Sequence, residues 1–191
     1  MKILRAADHK RMPWKNGGGE TVEIAVTPQG AALADFDWRI SMATVAADGP
    51  FSIFPGIDRT LSILSGNGMS LALAGQKPVL LTQASQPLAF AADVPVMATL
   101  ANGPITDLNV MTRRGRFVHD VERNMIDGDW GRTVASGTTL LLCRGGTVTC
   151  SYGGETGILS ENDALQIEIR TPVTLALQGH AICYLIRIQQ T

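Results

Sequence analysis

Cysteine is scarce in this chain and the three that occur, Cys143, Cys150 and Cys183, form no close pairs. An odd, scattered set argues against a disulfide framework and for a reduced compartment, with the thiols packed as small apolar groups. Charge is scarce too: 17% of residues are charged and the formal net charge is -1. The densest basic cluster is Arg113-Arg114 with Arg116. That is too little for the electrostatic footprint of a nucleic-acid or anionic-membrane binder. No apolar run approaches the ~20 residues that cross a bilayer. After Lys2 and Arg5 the chain reaches His9-Lys10-Arg11 without the apolar segment of a signal peptide. The expectation is a soluble, cytoplasmic protein with no nucleic-acid or membrane partner.

Familiar catalytic motifs are missing as well. No Gly-x-Ser-x-Gly elbow surrounds Ser41 or Ser52. Gly17-Gly18-Gly19 lacks the Lys-Ser/Thr ending and the following helix of a phosphate loop. Cys143 and Cys150 lie in strand-like runs, where an inert packed thiol is expected.

What the chain does contain is apolar material, 45% of 191 residues, enough for one large domain or two small ones. Its most distinctive segment runs Met12-Pro13-Trp14-Lys15-Asn16-Gly17-Gly18-Gly19-Glu20-Thr21-Val22-Glu23-Ile24. Three glycines permit backbone angles closed to other residues and let a backbone or ligand come close. An indole, an ammonium and an amide precede them, and an alternating run follows.

Short alternating runs then recur. Trp38, Ile40 and Met42 fall on one face of a strand, with Arg39, Ser41 and Ala43 on the other. Asp48-Gly49-Pro50 turns, Phe51–Phe54 reads as a short strand, and Pro55-Gly56 turns again. Asp58–Ser65 and Met69–Leu73 flank Gly66-Asn67-Gly68 as a hairpin would. Phe117–Arg123 is moderately helix-like and equally compatible with an extended strand. After about residue 113 the order starts again: Thr138–Cys143, a turn at Gly145-Gly146, Thr147–Cys150, then strands to Ile188. Many short strands between regular turns mean a sandwich or barrel. The expected fold is all-β, two tandem small β-barrels of the jelly-roll type with short linking segments. The expected domains are residues 1–113, carrying a pocket, and 114–191.

A polar set stands out in the first half. Arg59 offers a bidentate fork for a carboxylate. Arg39 and Ser41 share one strand face, and Asp107 and Asn109 share another. Trp14 and Asn16 close the mouth, with the glycines at Gly18 letting the backbone approach. A second account is open at this point: Arg59 as half of a buried salt bridge with Asp58 or Asp107, and Trp14 and Trp38 as core filling.

Several blocks together resemble the HutD/Ves family. They are Pro13–Gly19 with Thr21 and Glu23-Ile24; Trp38–Ser41 with Ala43; Gly49–Ser52; Phe54–Gly56 with Asp58-Arg59; and Asp107–Met111 with Arg113-Arg114. They cover the first ~60% of the chain, and ordered blocks are more specific than any one short motif. The resemblance implies a bicupin fold and an accessory or regulatory, ligand-sensing role in bacterial histidine utilisation. It also admits a homodimer through sheet pairing. A cupin metal site needs two histidines one residue apart, a carboxylate and a third histidine. His9, His119 and His180 stand far apart in sequence, none one residue from another, so no metal or other cofactor is expected. The expectation is a non-enzymatic binder of a small carboxylate metabolite, with urocanate or formyl- or formimino-glutamate as candidates. The rival is a metal-independent isomerase or hydrolase with Asp107 or Glu23 as general base.

Overall fold

Alternating apolar residues and frequent glycines produce an almost entirely β chain. The computed structural model describes residues 1–14 and 19–191. In order, the strands are β1 (Lys2–Leu4), β2 (Lys10–Pro13), β3 (Gly19–Thr27), β4 (Trp38–Val45), β5 (Gly49–Pro50), β6 (Ile57–Ser65), β7 (Met69–Leu73) and β8 (Val79–Leu81). They continue as β9 (Leu88–Ala91), β10 (Val96–Leu100), β11 (Ile105–Arg113), β12 (Phe117–Val134), β13 (Gly137–Tyr152), β14 (Glu155–Leu159), β15 (Ala164–Ile169) and β16 (Val173–Gln190). A single 3-10 turn, Ala6–Asp8, is the helical content among the described residues. No helix among them is long and apolar enough to cross a membrane.

The chain divides into two compact units, Lys10–Val118 and Met1–His9 with His119–Thr191. The first nine residues join the second unit because β1 pairs antiparallel with β15, Ile3 opposite Leu165. Arg5 adds an ion pair to Asp163 at 2.8 Å.

The Lys10–Val118 unit holds two sheets. One has the order β2-β3-β4-β11-β6-β9, the other β5-β10-β7-β8. Leu61 and Ile63 from the first pack with Met69, Leu71, Leu81, Val96 and Ala98 from the second. The other unit holds one sheet ordered β1-β15-β13-β16-β12, with β14 on β13. Its main apolar cluster includes Leu141, Cys143, Val148, Leu165, Leu175 and Leu185.

The expectation of two tandem closed barrels is corrected: among the described residues all three sheets are open, ending in edge strands that do not pair with each other. A sequence reports strand number and turn spacing, but barrel closure is a hydrogen-bonding matter between first and last strands. The predicted hairpin at Gly66-Asn67-Gly68 is corrected too, because β6 and β7 lie in different sheets. Gly66 (φ 89°) and Gly68 (φ 114°) carry the chain around a sheet corner. A Cβ on either would stand 2.5 Å from a backbone oxygen, of Pro104 and Leu81 respectively. Gly145-Gly146 is no turn between strands either. It is a bulge inside the continuous β13, marked by a register shift between Arg144 and Thr147. Phe51–Phe54 is irregular, and Phe117–Arg123 is extended within β12.

Candidate functional site

Antiparallel register assembles the site row by row on one face of the six-stranded sheet. Arg39 on β4 stands opposite Met111 on β11, which stands opposite Arg59 on β6, which stands opposite Phe90 on β9. The next row is Glu23, Ser41, Asn109 and Leu61, and the next Thr21, Ala43, Asp107 and Ile63. A register shift between Glu23 and Ala25 in β3 lets Glu23 share a row with Ser41 while Val26 faces Arg39. The two-residue period of a strand therefore places every one of these polar groups on the same side.

They line a cavity of about 780 Å³. Trp14, Arg39, Ser41, Arg59, Asp107 and Asn109 all contribute to its wall, and the Ala47–Phe54 stretch supplies much of the rest. Six of the eight residues singled out in the sequence thus meet around one space. Asn16 and Gly18 lie outside the described residues.

Arg59 is the least ordinary group there. It is 5% exposed, and its Nε has no hydrogen-bond partner. Among the described residues no carboxylate pairs with it. Asp58, one of the two partners proposed for a structural salt bridge, is taken by Arg114 at 2.8 Å. Three rings surround the guanidinium instead: its carbon lies 5.4, 5.2 and 5.8 Å from the ring centroids of Phe51, Phe54 and Phe90. Such faces stabilise a cation without neutralising it. Burial pushes the Arg59 pKa down to about 10, the Asp107 charge opposes that shift and Arg39 adds to it.

Asp107 is 1% exposed. Burial raises its pKa to about 7, against the opposing influence of Arg59, of Asn109 and of the Ala43 backbone. Asn109 Nδ2 donates to Asp107 Oδ1 at 2.6 Å. Arg39, by contrast, is spoken for: its Nε donates to Glu23 Oε2 at 2.7 Å and its Nη1 to Ser41 Oγ at 3.4 Å. The wall therefore holds one neutralised cation, one unneutralised cation and a carboxyl that titrates near neutrality.

Trp14 Nε1 donates to Thr21 Oγ1 at 2.8 Å, and the Trp14 backbone N–H donates to the Gly19 carbonyl at 2.9 Å. Gly19 has no room for a side chain: a Cβ would lie 2.0 Å from the Thr44 oxygen and 3.0 Å from the indole. The third glycine of the triplet thus serves the close approach of indole and backbone. Trp38 is buried, 4% exposed, on the opposite face of β4.

The Phe51, Phe54 and Phe90 box was not visible in the sequence. Two of its rings stand three residues apart in an irregular segment, and the third arrives through the β6–β9 ladder. Among the described residues no group of three or more His, Cys, Asp or Glu side chains is placed to hold a metal ion.

Comparison with known proteins places the chain. An uncharacterised 21.2 kDa protein in the 3′ region of hutC of Pseudomonas putida is 36% identical over 171 residues, 88% of this chain and 87% of that one. Protein Ves of Citrobacter koseri is 44% identical over 113 residues, 57% of this chain and 58% of its own. The structure of HutD from Pseudomonas fluorescens SBW25, formate condition, matches with a TM-score of 0.85 and 32% identity, over 100% of this chain and 98% of that one. The HutD family model matches residues 6–185, and the chain belongs to the HutD family.

Proposed function

We propose that the cavity of the Lys10–Val118 unit binds a small carboxylate metabolite of histidine breakdown, with Arg59 as the anion anchor. Urocanate and formyl- or formimino-glutamate are the candidate ligands, and occupancy reports or limits flux through the pathway. The observation that carries this reading is the buried Arg59 guanidinium, held among three phenyl rings with no ion-pair partner among the described residues. A buried charge left without a partner is costly, so a site that keeps one is built to receive the opposite charge. A charge-assisted fork to a carboxylate supplies it. Two relatives support the setting: one lies in the 3′ region of hutC, and one was solved in a formate condition, formate being the smallest carboxylate.

Titration calorimetry with each candidate tests the proposal. Binding that weakens at least about 10-fold in Arg59→Ala is the expected result, since a hydrogen bond to a charged group is worth roughly 1.5–3 kcal/mol and more where it is buried. No heat with any candidate, or unchanged affinity in the variant, overturns it.

A second reading draws on Asp107. A carboxyl with a pKa near 7, facing the same cavity as a cation, is suited to general-base chemistry. Glu23, the other candidate base, is engaged by Arg39 at 2.7 Å. Turnover of a pathway intermediate by metal-free protein, abolished in Asp107→Asn with ligand binding retained, would make the protein an isomerase or hydrolase.

A further inference from the structure

The carboxylate site leaves the cysteines unused, and two of them are placed for chemistry of their own. Cys143 on β13 and Cys183 on β16 are direct register partners in an antiparallel ladder. Cys143 donates its backbone N–H to the Asp163 carbonyl at 3.0 Å and accepts at its own carbonyl from the Asn162 N–H at 2.9 Å. Both of its backbone groups therefore point away from β16. Cys143 and Cys183 are consequently a non-hydrogen-bonded pair, the kind whose Cα atoms stand closest, about 4.5 Å apart. That separation lies inside the roughly 4.4–6.8 Å that a disulfide spans.

The side chains bear this out. Both are buried at 0% exposure. The two side chains perturb each other: the Cys183 side chain pushes the Cys143 thiol below its ordinary value, and the Cys143 side chain pushes that of Cys183 up. The Cys143 sulfur also lies 3.6 Å from the Gly146 carbonyl oxygen, in the glycine bulge of β13. Cys150 has no cysteine as a register partner. It stands opposite Leu177 on β16 and Gly157 on β14, and its thiol donates to the Gly157 carbonyl at 3.1 Å.

We propose that Cys143 and Cys183 form a reversible oxidation site, a dithiol that a hydroperoxide closes into a cross-strand disulfide between β13 and β16. The steps balance. The Cys143 thiolate attacks one peroxide oxygen, the O–O bond breaks, and hydroxide leaves a sulfenic acid on Cys143. The Cys183 sulfur then attacks the Cys143 sulfur, the S–O bond breaks, and the departing hydroxide takes the Cys183 proton as water. In sum, two thiols and one hydroperoxide give one disulfide and two waters (or one water and an alcohol), two electrons passing from sulfur to oxygen. Both sulfurs are enclosed, so the reaction runs through local opening at the bulge, which a peroxide is small enough to use. An external dithiol restores the pair by exchange.

The test treats the reduced 191-residue chain with hydrogen peroxide, alkylates remaining thiols after denaturation and maps the peptides by mass spectrometry. The expected product joins the Cys143 and Cys183 peptides, leaves Cys150 alkylated and disappears after dithiothreitol. Met125, 70% exposed, is the internal witness that peroxide has acted. In Cys183→Ser the expected product is a Cys143 sulfenic acid trapped by dimedone, and in Cys150→Ser the 143–183 link persists. Oxidised Met125 alongside three intact thiols overturns the proposal. So does a predominant link through Cys150, or loss of the 143–183 link in folded Cys150→Ser.

Discussion

The two units are made of the same material, antiparallel sheet bent at glycines, and they enclose opposite things. In the unit of Met1–His9 and His119–Thr191 the sheet buries an apolar face, with Leu141, Val148, Leu165 and Leu185 at 0–1% exposure. In the Lys10–Val118 unit the corresponding face is polar where it meets the cavity: Arg39, Ser41, Arg59, Asp107 and Asn109 are each 9% exposed or less. One interior is filled, and the other is kept open at a cost in stability. Active and binding sites are where such costs are expected, because selection holds stability only above a threshold.

The filled interior gives the largest expected effect. Leu141→Ala removes a side chain at 1% exposure from the apolar cluster. It should cost about 2–5 kcal/mol in urea unfolding, transfer loss plus residual cavity. Carboxylate binding by the other unit should be unchanged. A loss under about 1 kcal/mol would mean that this core is loosely packed, and the contrast between the units would fail.

The open interior should respond to pH where the filled one does not. Asp107 has a folded pKa of about 7 against an ordinary value of 3.8. Below the unfolded value the carboxyl is protonated in both states and this group costs nothing. Between the two values the unfolded chain ionises while the folded chain keeps its proton, so stability is lost as pH rises through about 7. The full loss corresponds to roughly 4 kcal/mol at most. Asp107→Asn escapes it. Its thermal midpoint should rise relative to the parent from about pH 4 to about pH 7, between the unfolded and folded pKa values, and hold level above that. A difference that stays flat with pH would place the carboxyl in a far wetter setting.

The same logic applies to the cation with the sign reversed from Leu141. Arg59→Met removes an unneutralised buried charge and keeps an unbranched chain against the Phe51, Phe54 and Phe90 rings. Stability should rise by about 1–2 kcal/mol, while carboxylate binding disappears. A fall of that size would show that the three rings hold the cation for structural reasons, with no ligand needed to account for it.

How much of this was legible beforehand varies residue by residue. The strand period alone put Arg39 with Ser41 and Asp107 with Asn109, because i and i+2 share a face whatever the tertiary fold. That these two pairs and Arg59 would meet was not contained in the period. It follows from the order β4-β11-β6, which brings three sequence-distant strands side by side. The all-β composition was plain, but sheet closure was not. Gly66 and Gly68 look identical in sequence whether they close a hairpin or turn a corner between sheets. The backbone oxygens of Pro104 and Leu81 that exclude a side chain there come from later segments of the chain. The choice of Arg59 partner was equally hidden: Asp58 is its chain neighbour, yet adjacent residues on a strand point to opposite faces, and Arg114 claims it.

The smallest expected effect tests whether the cavity mouth is held or merely covered. Trp14 is half-buried and joined to β3 by the Nε1 donation to Thr21 Oγ1 at 2.8 Å. Trp14→Phe keeps a ring over Gly19 and removes that donor. Thr21 and the lost indole edge are partly reached by water, so the loss should be only about 0.5–1 kcal/mol. Thr21→Val should cost about the same, and the double variant little more than either alone if the two side chains act through this one bond. Additive costs in the double variant would mean that indole and hydroxyl contribute separately. The mouth would then be held by packing against Gly19, as the filled interior of the other unit is.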